Sequence, residues 1–148
     1  MKRRISVFFT TGFLLACFLI NSNNLIAETS SALTHRVFIL HSYEANHVCG
    51  QPQHDGVIEA LRKAGFKEKE NLEILTFFMD TKRKNNTLEL MEKQSCLALK
   101  EIHIFKPHVL VVFDDNAFRT VALKLVDSQI PIIFSGMNGQ PEDYNKMK

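Results

Sequence analysis

Cysteine is scarce in this 148-residue sequence: there are three, Cys17, Cys49 and Cys96. No Cys-x-x-Cys pair and no His-x-x-x-His pair occurs, so no compact zinc signature is present. Three cysteines also cannot form a disulfide framework. No glycine-rich loop of the GxGxxG or P-loop kind appears. That argues against adenine dinucleotides and nucleoside triphosphates as ligands. Tryptophan is absent, no internal repeat is visible, and no segment is low in complexity.

One-signed charge is missing as well. The formal net charge of +2 rests on Lys2, Arg3 and Arg4 at the extreme N-terminus; without them it is −1. No basic surface for a nucleic-acid backbone remains, so nucleic acid is not an expected partner.

Those basic residues open a targeting layout. Met1 to Arg4 is a basic start, and Ile5 to Ile20 is a mostly apolar run. Polar residues 21–24 follow, then Leu25-Ile26-Ala27. Residues 1–27 therefore read as a secretory signal peptide cleaved after Ala27, with Ala32 as a second candidate. Leu14-Leu15-Ala16-Cys17 has the form of a lipobox, but the apolar run continues past Cys17. A lipoprotein and an uncleaved N-terminal anchor are the alternatives. Export places the mature chain in the periplasm or another extracytoplasmic, oxidising space. Residues 28–35 serve as a short linker, and 36–148 form one domain of ordinary size.

Within that domain apolar strands alternate with amphipathic helices. Arg36 to His41 and His108 to Phe113 are continuous apolar runs, the pattern of strands buried on both faces. Leu72 to Met79 and Ile130 to Phe134 read as two more strands. Gln51 to Ala64 is a helix with Pro52 in its first turn, Val57, Ile58, Leu61 and Ala64 inward, and Gly65 as its stop. Asn86 or Thr87 caps a helix reaching Phe105, with Leu88, Met91, Ala98, Ile102 and Phe105 inward. Asp114 or Asp115 caps a third, burying Ala117, Phe118, Val121, Ala122 and Leu125. The fold class is α/β: a parallel sheet of order 2-1-3-4 with right-handed crossovers and helices on both faces. This places Cys49 and Cys96 on opposite faces, as free thiols.

Ligands of such sheets bind beyond the carboxyl ends of the strands. Four loops are marked by that rule: Ser42-Tyr43, Asp80-Thr81, Asp114-Asp115-Asn116, and Ser135-Gly136-Met137-Asn138. The first of them continues as HSYEANHVCGQPQHDG (41–56), which has two further chemical readings. His41, His47, Cys49, His54 and Asp55 could hold zinc or copper, but their spacing favours loop and cap residues. Cys49 near a helix start, with His47 or His54 as base, could form a nucleophile, but no orienting group is evident. Asp114-Asp115 is an acidic pair like that of phosphoacceptor receiver domains, yet it follows the third strand rather than the first. Lys82-Arg83-Lys84 reads as a solvated loop.

Five segments in this order carry a resemblance. They are Val37 to Tyr43, Asp55-Gly56 entering a helix, Phe78 to Lys82, Val112 to Ala117, and Phe134 to Asn138. Together they resemble the N-terminal part of the substrate-binding proteins of ABC uptake transporters, of the periplasmic-binding-protein type I kind. The module also resembles the extracytoplasmic sensor part of some histidine kinases. The resemblance spans about Arg36 to Tyr144. It implies an N-terminal α/β lobe, truncated before a hinge and a second lobe, that closes on a small molecule without bond chemistry. No enzymatic activity, catalytic residue, metal or cofactor is expected. The expected ligand contacts are Ser42, Tyr43, Asp80, Asp114, Asn116, Ser135 and Asn138, with Asp114 suited to a ligand amine. The expected partners are that small molecule and an ABC permease, and the expected state is a monomer. A ligand-sensing domain of a signalling protein is the alternative function, and a metal-binding protein a third. Cys49 departs from the pattern, since many relatives carry an aromatic there, often Trp. A stacking platform is thereby lost, so an aromatic amino acid is not inferred as the ligand.

Overall fold

The computed structural model describes residues 34–140, Asp143 and Tyr144. The signal-peptide segment, Cys17 and most of the 28–35 linker lie outside the described residues. Four strands form one parallel sheet in the order β2-β1-β3-β4. They are β1 (His35–His41), β2 (Leu72–Phe78), β3 (Val109–Phe113) and β4 (Ile132–Ser135), joined by α1 (Gly50–Lys63), α2 (Leu88–Phe105) and α3 (Asp115–Thr120).

Side chains alternate across β1 and β3, which is why both strands read as unbroken apolar runs. Phe38, Leu40, Leu110 and Val112 face one side and pack with Ala98 and Ile102 of α2 and Ala117 and Phe118 of α3. Val37, Ile39, Val111 and Phe113 face the other side and meet Val57, Ile58 and Leu61 of α1. Both faces of the sheet are thus covered by helix. Cys49 precedes α1 and Cys96 lies on α2; both are free and exposed. No helix among the described residues is long and apolar enough to cross a membrane.

The helix ends follow local chemistry. After α1, Gly65 takes φ +88°. Its N–H reaches the Arg62 carbonyl at 3.1 Å and the Phe66 N–H reaches Leu61 at 3.0 Å, a Schellman closure. The Thr87 side chain accepts from the Leu90 N–H and starts α2.

Four details differ from the sequence expectation. Leu88 is 83% exposed, because the buried stripe of α2 begins only past its first turn, at Ser95, Ala98 and Ile102. Ala64 is also exposed. The third helix is broken: α3 stops at Thr120, and a separate 3₁₀ turn spans Ala122–Leu125. At the break the Thr120 carbonyl accepts from the Ser95 hydroxyl of α2. Finally, β4 starts at Ile132, since Pro131 has no N–H to give, although its carbonyl still accepts from Leu110 at 2.9 Å.

Candidate functional site

The chain crosses from β2 past β1 to β3, so the strand order reverses beside β1 and β3. Crevices form at such a reversal, beyond the carboxyl ends of the strands. Ser42 follows β1 there, and Asp114 follows β3.

Ser42 is fully buried. Its hydroxyl donates to the Phe113 carbonyl at 2.9 Å and accepts from the Ala117 N–H at 2.8 Å. Its own carbonyl accepts from the Thr81 N–H at 2.9 Å and the Thr81 hydroxyl at 2.7 Å. Asn116 Nδ2 then donates to Thr81 Oγ1 at 2.9 Å. Three of the four marked loops are therefore knotted together through Ser42 and Thr81. Ser42 stands where the sequence places it, but both roles of its hydroxyl are taken by the protein. Thr81 carries as much of this network, and its signal was its place in the loop that follows β2.

Tyr43 opens outward from this knot. Its ring lies 4.4 Å from that of His47, and the Lys82 ammonium sits 4.1 Å above it. Burial raises the Tyr43 pKa, as do the neighbouring charges of Asp114, Asp115 and Cys49. Tyr43, Asp115, Asn116 and Asn138 line one open groove of about 420 Å³ with Arg119 and Tyr144. The basic run beside it is not simply solvated, because Arg83 lies 3.7 Å from Glu44 and 3.6 Å from Asp80.

The remaining marked residues divide. Asp80 turns back on its own loop, accepting from the Lys84 N–H at 3.5 Å. Asn138 gives its side-chain amide to Asp115, whose carboxylate also accepts from the Tyr144 hydroxyl. Burial pushes Asp115 up, but these hydrogen bonds outweigh it and hold its pKa below the usual carboxylate range. Ser135 is exposed, and its carbonyl accepts from the Asp114 N–H at 3.0 Å.

Asp114 is the exception among them. Its backbone has φ 68° and ψ 168°, a region almost reserved for glycine. The carboxylate caps nothing on α3. It is only 6% exposed, and Oδ2 is buried without a donor. Burial raises its pKa, opposed by the nearby charges of His47 and Lys82. Asp114 holds the N-cap position of α3, as the sequence expects, and its carbonyl accepts from the Phe118 N–H at 3.3 Å, but its carboxylate neither caps the helix nor reaches solvent. Strain of this kind persists where surrounding structure enforces it, typically at working sites. Asp114→Gly is therefore expected to stabilise the fold, by about 1–2 kcal/mol after glycine's own entropy cost. Urea denaturation at neutral pH measures it.

His41 and His54 form a pair of their own, Nε2 to Nδ1 at 3.2 Å. The His41 ring stacks on Phe78 at 4.6 Å and lies 4.8 Å from Phe113. His47 Nδ1 is taken by the Cys49 N–H at 3.3 Å, not by its thiol. No group of three His, Cys, Asp or Glu side chains is placed to hold a metal among the described residues.

A scan against protein-family models, a search of curated proteins and a search of solved structures each gave no match.

Sequence reasoning missed Arg119 and Tyr144 of the groove, and Gln53 beside Asp114. Gln53, in the first turn of α1, donates from Nε2 to the Cys49 carbonyl at 3.1 Å and buries Oε1 without a donor. Helical periodicity marks only apolar positions, so nothing in the sequence pointed to it.

Proposed function

We propose that this chain is the N-terminal lobe of an extracytoplasmic solute-binding protein of an ABC uptake system. The observation that carries the reading is Asp114: a non-glycine residue in a glycine-only backbone region, with a buried, unpartnered carboxylate oxygen at the strand-order reversal. A protein tolerates such a residue when something other than its own fold uses it. The groove beside it, walled by Tyr43 and Asn116, is open on one side, as one wall of a two-lobed cleft would be. The ligand is bound and released with no bond made or broken. Ser42, the nearest hydroxyl to a nucleophile at this end, has both hydrogen-bonding roles occupied by backbone groups, which supports binding over catalysis.

The resemblance over Arg36 to Tyr144 supplies the transport setting and the permease as partner. The test is a thermal-shift panel of amino acids, nucleosides, sugars and oligopeptides against the protein. One class is expected to raise the melting temperature in a saturable way, by an amount that grows with the logarithm of concentration. A panel in which no class shifts the transition would overturn the reading.

A further inference from the structure

Among the described residues, three buried side-chain atoms lack a hydrogen-bond partner: Glu44 Oε2, Gln53 Oε1 and Asp114 Oδ2. All three are acceptors, and all three lie at the carboxyl end of the sheet. Two of these side chains, Asp114 and Gln53, converge. A Cβ placed on Gly136 would lie 2.8 Å from Asp114 Oδ1 and 3.1 and 3.2 Å from Gln53 Nε2 and Oε1. The α1 first turn and the end of β3 thus bring an amide and a carboxylate to one point, over a residue with no side chain.

The orientation of the amide is fixed by chemistry. The Cys49 carbonyl can only accept, so Gln53 turns Nε2 to it and leaves Oε1 as the free end. Lys82 lies over the Tyr43 ring and Arg83 beside Glu44 and Asp80; the charges of His47 and Lys82 reach Asp114 only through space, without a hydrogen bond to its carboxylate. The Asp114 carboxylate, whose Oδ2 is buried without a donor, and the unpartnered Gln53 Oε1 thus border the same space beside Gly136.

We propose that Asp114 and Gln53 form a subsite for a primary ammonium group of the ligand. The inference rests on the binding reading above and names the chemistry that site selects. A hydroxyl has one proton and cannot serve two acceptors, whereas an ammonium has three and also neutralises the carboxylate. A neutral or acidic solute would leave the Asp114 charge buried and unpaired. Gly136, at φ +76°, keeps the space open.

The test is a ¹⁵N–¹H NMR titration of the protein with propylammonium chloride at constant ionic strength. 1-Propanol and methylguanidinium are the comparison probes. Saturable shifts are expected at the Gln53 side-chain amide and the Asp114 N–H, with affinity at least tenfold below this for both comparison probes. Asp114→Asn keeps the shape, removes the charge, and is expected to weaken propylammonium at least tenfold. Gly136→Ala, which fills the gap from the opposite loop, is expected to do the same, with each variant's spectrum reporting that it is folded. Unshifted Gln53 and Asp114 signals, equal affinity for 1-propanol or methylguanidinium, or full affinity in folded Asp114→Asn would each overturn the subsite. If uncharged solutes shift these signals and propylammonium does not, the ammonium assignment falls and the binding reading stands. If no solute of either kind shifts them, both fall.

Discussion

Lowering the pH from 6.5 to 4 is expected to cost the fold about 3 kcal/mol through His41 alone. Burial chiefly, and the neighbouring His54 charge secondarily, hold His41 down to about 4 from its ordinary 6.5. The unfolded chain takes up a proton near pH 6.5, and the folded chain refuses it until about pH 4. Stability is therefore fully present above the unfolded value and lost as pH falls through this window. His41 is 2% exposed, so solvent screens little of the effect. The ring sits in an aromatic slot between Phe78 and Phe113, which phenylalanine also fits. His41→Phe is expected to stay within about 1 kcal/mol of the parent at pH 7 and to exceed it at pH 4.5. Urea denaturation of both proteins across this range separates the His41 effect from that of the carboxylates they share. Parallel stability profiles would show that His41 does not titrate as its burial requires.

Replacing Ser42 by alanine is expected to cost about 2–3 kcal/mol, because it leaves the buried Ala117 N–H without its acceptor and removes one of the two donors to the Phe113 carbonyl, which keeps the Ser42 N–H at 3.1 Å. For a domain of this size that lowers the melting temperature by roughly 10 °C. The measurement also separates two roles for the residue. A hydroxyl that touched only ligand would leave the melting temperature unchanged and weaken solute binding. The structure assigns Ser42 to joining β1, β3 and α3, so the loss falls on stability first. Solute affinity then drops only as far as the Asp114 loop, which Ser42 holds through Ala117, loses its position.

The sheet was legible because its signals are local or nearly so. The runs Val37 to Leu40 and Val109 to Phe113 are buried on both faces, and a strand in that setting cannot afford a polar position. Helices between such runs require parallel crossovers, and the order 2-1-3-4 followed. The misplaced details share a cause. Leu88 keeps the helical phase of Met91, but periodicity does not say where the core ends. The break at Val121 sits beside a long-range contact, the Ser95 hydroxyl on the Thr120 carbonyl, which helical periodicity does not register.

The site was legible as a set of loops and not as a set of roles. Ser42, Tyr43, Asp114 and Asn116 do come together at the strand-order reversal. Which of their polar atoms are spare depends on partners supplied by other loops. Thr81 and Phe113 occupy Ser42, and Asp115 with Tyr144 occupies the Asn138 end. The strain at Asp114 is a backbone property, which no side-chain pattern encodes.

The proposed function requires that solute bind at the carboxyl end of the sheet. Amide NMR mapping, with the solute giving the largest thermal shift, tests it most directly. The shifted signals are predicted to cluster in residues 42–54, 80–82, 114–116 and 135–139, with Asp114 among the largest. Shifts confined to the opposite end of the sheet, in residues 64–71 and 106–108, would contradict it.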